Sequence, residues 1–154
     1  GSGSSGTIYK YNSTFSTGAT GSLVVPHMEW DTYTVSVPTS TGYDVASACK
    51  PQPESLVPGA SLTTNFYLTP HTANSLLVDV RSSATDALVA GALVTLARSG
   101  FTATSTTDSC GQVYFGNITA SNGYTVSVTA VGQSNYSSSG VTVSGTSHFS
   151  AIMN

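Results

Sequence analysis

Apolar residues alternate with hydroxyl-bearing ones along much of this chain, the pattern of strands that bury one face. Val126 and Val128 alternate with Thr125, Ser127 and Thr129, and Phe149, Ala151 and Met153 alternate in the same way near the C-terminus. Helical periodicity is nearly absent. In the second half the pattern predicts strands at 75–81, 93–99, 101–106, 112–115, 123–130, 140–143 and 147–153. Turn signals separate them at Gly91, Gly100, Ser109-Cys110-Gly111, Asn122-Gly123 and Ser144-Gly145. In the first half it predicts strands at 7–15, 22–25, 31–37 and 61–68, with Leu62, Thr64, Phe66 and Leu68 on one face. The stretch from Cys49 to Gly59 holds Pro51, Pro53 and Pro58 and cannot supply a central strand.

The pentapeptide Tyr-Thr-Val-Ser-Val occurs twice, at 33–37 and 124–128, each time after a similar lead-in. Aligning Gly21 with Gly111 gives an offset of about ninety residues, the size of a small β-sandwich and too long for a solenoid repeat. The repeat predicts two domains, 7–73 and 74–154, joined at the short polar stretch Thr69-Pro-His-Thr-Ala73. The second copy opens with Leu76-Leu-Val-Asp-Val80 and Gly91-Ala-Leu-Val-Thr-Leu96, for which the first has no counterpart. Its opening strands are therefore missing. Either the chain has been trimmed or another element supplies them. Domains of this size bury little surface, and a covalent staple is expected.

Composition narrows the function classes. Only 7% of residues are charged, against a usual figure of about 25%. Ser and Thr make up roughly a third of the chain. The four basic residues, Lys10, Lys50, Arg81 and Arg98, and a net charge of −3 argue against nucleic-acid and anionic-membrane partners. No apolar run reaches the length of a transmembrane helix, no signal peptide is seen, and direct membrane insertion by this fragment is not expected. The opening Gly-Ser-Gly-Ser-Ser-Gly reads as a linker or an appended scar and is set aside from the fold.

Four motifs carry a family resemblance: Leu77-Val-Asp-Val80, Gly91-Ala-Leu-Val-Thr-Leu96, Thr107-Asp-Ser-Cys-Gly111-Gln-Val-Tyr-Phe115 and Gly123-Tyr-Thr-Val-Ser-Val128. With them the second half resembles carboxypeptidase-regulatory-like domains of the transthyretin-like, Cna-B-related β-sandwich group, and the first half is a weaker copy. The resemblance implies an all-β chain of two tandem Greek-key sandwiches, the first lacking its opening strands. It also implies the company such domains keep in bacterial surface proteins, including pilin-like ectodomains. The block Glu29-Trp-Asp-Thr-Tyr33 is similar to these last. Many Cna-B-like domains carry an isopeptide bond between Lys and Asn. The second half has no lysine, and the first offers only Lys10 on a strand, with Asn65 and Glu29 as substitutes for the usual partners.

Clustered chemistry is scarce. His27, His71 and His148 lie in separate segments without zinc-ligand spacing, so no metal site and no peptidase centre is expected. There is no Gly-x-Ser-x-Gly elbow and no Asp-x-Asp-x-Asp calcium loop. Asp108 reads as a turn former. Cys49 and Cys110, the only cysteines, are expected to form a disulfide between the halves, contributing about 4 kcal/mol in the chain-entropy picture. Asn12, Asn117 and Asn135 head glycosylation sequons in a chain where such triplets arise by chance. Trp30, the single tryptophan, is replaced by Ser121-Asn122-Gly123 in the second copy, so the fold does not require it. Together with Tyr33 it is an interface anchor or a ligand platform.

These observations predict no catalytic residues and no cofactor. They predict an extracellular or cell-surface structural or adhesive module whose partners are other domains or subunits of a surface assembly, a glycan or a cell-surface protein. The alternative is a carbohydrate- or protein-binding module built on Trp30 and nearby tyrosines. A more distant one is an accessory domain of a secreted hydrolase.

Overall fold

The computed structural model describes residues 11–50 and 52–154. In chain order its strands are β1 (Asp31–Tyr33), β2 (Tyr43–Ala48), β3 (Glu54–Leu56), β4 (Phe66–Pro70), β5 (Ser75–Ser82), β6 (Leu93–Arg98), β7 (Phe101–Thr106), β8 (Gln112–Gly116), β9 (Ser121–Thr129), β10 (Tyr136–Val143) and β11 (Thr146–Met153). One turn of 3-10 helix, Thr39–Thr41, is the sole helical element among the described residues. The chain is all-β.

The second half forms a two-sheet sandwich. One sheet has the order β10-β9-β6-β7 and the other β11-β5-β8. β5 is central in its sheet, parallel to β11 and antiparallel to β8. The period-two pattern decides which side chains enter the core. Leu76, Val78 and Val80 of β5 meet Val94 and Leu96 of β6, with Tyr124, Val126 and Val128 of β9 and Met153 of β11 in the same buried cluster. Tyr124 satisfies its buried ring by donating its hydroxyl to the Thr119 carbonyl at 2.8 Å.

The corner between β7 and β8 explains the Thr-x-x-x-Gly motif. The Thr107 hydroxyl donates to the Val89 carbonyl at 2.7 Å and accepts the Ala92 N–H at 2.9 Å, stitching the entry to β6. Asp108 Oδ1 accepts the N–H groups of Cys110 and Gln112, so Asp108 is the turn former its sequence context predicts. Gly111 has φ +68°, and a Cβ there would lie 2.7 Å from Cβ of Leu88. Both the dihedral and the close approach demand glycine.

The first half is built differently. Its described residues form two two-stranded ribbons, β1 with β3 and β2 with β4. Ala48 is its only buried apolar side chain among them. Of the expected strand at 31–37 only Asp31–Tyr33 is a strand, and Val35 is 47% exposed, whereas its counterpart Val126 is fully buried. Among the described residues no strand lies opposite Val35. Its N–H donates to Oε1 of Gln52 at 2.9 Å instead. The expected strand at 22–25 is irregular and exposed, and that at 61–68 shifts to Phe66–Pro70. Residues 7–10 of the other expected strand lie outside the described residues, and 11–15 are not strand. The Pro-rich connection contributes β3, an edge ribbon rather than a central strand.

Candidate binding groove and the polar clamp beneath it

Period two also fixes what the β11-β5-β8 sheet shows on its outer side. Register pairs Leu77 with Tyr114 and His148, and Asp79 with Gln112 and Ser150. β2 packs over this polar face, and three contacts hold it there. Cys49, one residue beyond β2, is disulfide-bonded to Cys110 in the corner before β8. Beside that bond the Gln112 side chain acts as a substitute strand: its Nε2 donates to the Ala48 carbonyl at 2.7 Å, and its Oε1 accepts the Ala48 N–H at 2.8 Å. At the other end of β2, Asp44 is 1% exposed and collects four donors from three segments. Nδ1 of His71 lies 2.7 Å from its Oδ1, the Tyr114 hydroxyl donates to Oδ2 at 2.7 Å, the Thr72 N–H to Oδ2 at 3.1 Å, and the Thr146 hydroxyl to Oδ1 at 3.5 Å. Gly116, two residues beyond Tyr114, leaves room for its ring, since a Cβ there would lie 2.6 Å from it.

Burial alone would raise the Asp44 carboxyl, but hydrogen bonds from His71, Tyr114 and Thr72 outweigh it and hold the group below the ordinary carboxylate value. The Tyr114 phenol is pushed up by burial and by its place beside Asp44. Asp79, also 1% exposed, is a second such node. Burial pushes it up, while His148, Ser150 and Arg81 hold it down at about 2. Nε2 of His148 lies 2.5 Å and the Ser150 hydroxyl 2.7 Å from Oδ1, and Nε of Arg81 lies 2.7 Å from Oδ2. Arg81 in turn is raised by its bond to Asp79. A nucleophile relay would need the serine hydroxyl on the imidazole. Here Ser150 donates to the carboxylate itself, an arrangement that fixes β11 to β5. Among the described residues no group of three or more His, Cys, Asp or Glu is placed to hold a metal ion.

On the ribbon side, Trp30 precedes β1 and is 72% exposed. β1 pairs antiparallel with β3 in the register Asp31 to Leu56, so Trp30 comes opposite Val57 and the turn that follows. That turn is closed by the Ala60 N–H donating to the Val57 carbonyl at 3.1 Å. Trp30 and the turn form the walls of an open groove of about 700 Å³, with Glu29 and Asp31 also lining it. A second concavity of about 220 Å³ shares Met28, Glu29 and Asp31 with the first and ends on Tyr11 and Tyr33. Those two rings meet edge-to-face at 6.2 Å, and Tyr33 donates its hydroxyl to the Glu29 carbonyl at 2.8 Å. The two candidate residues Trp30 and Tyr33 thus lie along one trough, away from the polar clamp.

The remaining candidates are dispersed. Asn12, Asn117 and Asn135 are all exposed, and Asn117 sits at φ +54° in the turn between β8 and β9. Lys10, the lysine weighed for an isopeptide bond, lies outside the described residues. The clamp residues Asp44, Gln112, Tyr114 and Asp79 were not singled out in the sequence as a site. A signal for one of them exists: a lone carboxylate inside an apolar run, as in Leu76-Leu-Val-Asp79-Val, marks a buried and paired charge.

No family model and no curated protein matches the chain. Among solved structures it is similar to the Bacillus anthracis TIE protein, with 14% identity and a TM-score of 0.46 over 59% of this chain and 19% of that one.

Proposed function

We propose that this chain is a non-catalytic module of the cell exterior that presents an exposed surface on a locked sandwich, in the manner of a stalk or the ectodomain of a pilin-like subunit. One observation carries the reading: the ribbon layer is fastened to the sandwich by a disulfide, a side-chain strand mimic and a buried carboxylate, yet it leaves its own apolar side chains in solvent. Of the large exposed apolar residues, Tyr11, Phe15, Leu23, Val24, Trp30, Val35, Tyr43, Val57, Leu62, Tyr67 and Leu68 lie in the first half, against Leu93, Val131 and Ile152 in the second. Exposed apolar surface of this extent is a mark of interaction sites. A disulfide that closes the layer onto the sandwich suits an oxidising compartment. The two buried carboxylates serve as structural nodes and leave the ribbon as the contact layer.

The test uses intact producing cells. A membrane-impermeant amine label should reach the chain, and alkylation without reductant should leave both cysteines unmodified. Label excluded by intact cells, together with two alkylated thiols in the recovered protein, would overturn the reading.

A further inference from the structure

β7 is an edge strand with one side unused, and we infer that it is a self-association site. There a second copy of this chain pairs its own β7 antiparallel, joining the two four-stranded sheets across a two-fold axis. The contact lies on the sandwich and not on the ribbon layer, so it goes beyond the reading above and does not depend on it. β6 pairs with β7 at six consecutive positions, from Leu93 with Thr106 to Arg98 with Phe101. Among the described residues nothing pairs with the other side of β7.

The ladder fixes where the free backbone groups point. In an antiparallel pair they turn towards the neighbour at every second residue and away from it at the others. Just past β7 the Thr107 N–H donates to the Ala92 carbonyl at 2.9 Å, so Thr107 turns inward. At the other end the two-residue turn Ser99-Gly100 is closed by the Arg98–Phe101 pair, which turns Phe101 inward as well. Both ends agree: Phe101, Ala103 and Ser105 face β6, while Thr102, Thr104 and Thr106 offer their N–H and C=O groups outward.

These three threonines are evenly spaced about Thr104, and that symmetry commits the site to a second copy. With Thr104 on the two-fold axis, Thr102 of one chain meets Thr106 of the other and Thr104 meets its own counterpart. Every outward N–H then finds a carbonyl, the self-complementary condition of an isologous contact. The side chains match too. All three threonines are exposed, and the Thr104 hydroxyl already lies 3.3 Å from that of Thr95 on β6. The pairing extends this row with Thr opposite Thr, a favourable cross-strand pair. β7 carries no charge, so two copies of a chain with a net charge of −3 meet there without local repulsion. Edges that must stay single usually carry a lysine, a proline or a bulge. The opposite edge of this sheet has such protection: β10 shifts register between Ser138 and Val143, with Gly140 at φ +70°. β7 has none of the three.

In analytical ultracentrifugation the whole disulfide-bonded chain should rise in apparent mass from one chain towards two between micromolar and millimolar concentration. Over the same range the amides of Thr102, Thr104 and Thr106 should gain hydrogen-exchange protection, while those of Ala103 and Ser105 are protected throughout. Thr104→Lys sets like charges opposite each other and should weaken the dimer by about tenfold, and Thr104→Glu should do the same. An equimolar mixture of the two variants should dimerise again, because the opposed charges then attract. Thr104 is exposed, so each variant should keep the parent melting temperature.

A chain that stays monomeric at millimolar concentration would overturn the proposal, whether or not it captures a foreign extended peptide. So would a dimer indifferent to both charged variants, which would place the contact on another surface such as the ribbon layer. Mixed variants that stay apart would overturn it too, since pairing centred on Thr104 requires them to combine. None of these results bears on the surface labelling or the cysteine state that test the broader reading.

Discussion

Asp44 is the residue on which the two halves of the chain depend. It sits on a strand of the first half, and all four of its donors come from beyond β4: His71 and Thr72 in the connection, Tyr114 of β8 and Thr146 of β11. Removing one donor leaves a buried carboxylate short of a bond, and hydrogen bonds to charged groups contribute about 1.5–3 kcal/mol. Tyr114→Phe keeps the ring over Gly116 and should lower stability by roughly that amount in urea titration; an unchanged midpoint would mean that the hydroxyl is not needed. The acid side follows from Asp79 and Asp44, both held below the usual carboxylate value of 3.8, Asp79 at about 2. A carboxyl with a depressed folded value stabilises fully above its unfolded value and loses that contribution as pH falls through the folded one. The urea midpoint should therefore drop between about pH 4 and pH 2, and Asp79→Asn should flatten the drop. An equally steep fall in that variant would contradict the assignment.

At the level of elements, identical pentapeptides have different fates. Tyr124–Val128 lies within β9, flanked by β6 and β10, and its Val126 and Val128 are fully buried. In Tyr33–Val37 only Tyr33 belongs to a strand, and among the described residues β1 pairs with β3 alone and nothing buries Val35. The sequence alternation was legible wherever a sheet existed to bury it, which is why 101–106 coincides with β7 and 75–81 nearly with β5. β2 escaped notice for the opposite reason. Tyr43-Asp-Val-Ala-Ser-Ala48 alternates poorly, and what secures it lies more than sixty residues away, at Gln112 and Cys110. The Cys49–Cys110 pair and the turn at Asp108 were readable from the residues, but the Asp44 node needs four segments brought together and leaves no local spacing. Two-stranded ribbons are marginal by themselves in water. β2 and β4 are thus expected to persist only while the clamp holds them.

For the whole molecule this gives two levels of stability. The sandwich carries a continuous buried core from β5 to β11. The β2–β4 ribbon borrows its order from that core through one covalent bond and a few polar contacts, and Trp30 beside β1 stands exposed. Disulfides of this loop length contribute about 4 kcal/mol in the chain-entropy model, most of it here acting on the layer they tether. Trp30 is visible in the sequence as a residue that the fold does not need, but the groove beside it is not, because its opposing wall is the Val57–Ala60 turn, which β1–β3 pairing brings across. Native-state hydrogen exchange on the parent chain and on Cys49→Ala/Cys110→Ala tests the central claim most directly. Amides of β2 and β4 should lose most of their protection in the variant while those of β5, β6 and β9 keep theirs. Uniform loss of protection across both halves, or none in β2 and β4, would contradict a ribbon layer clamped onto an independently stable sandwich.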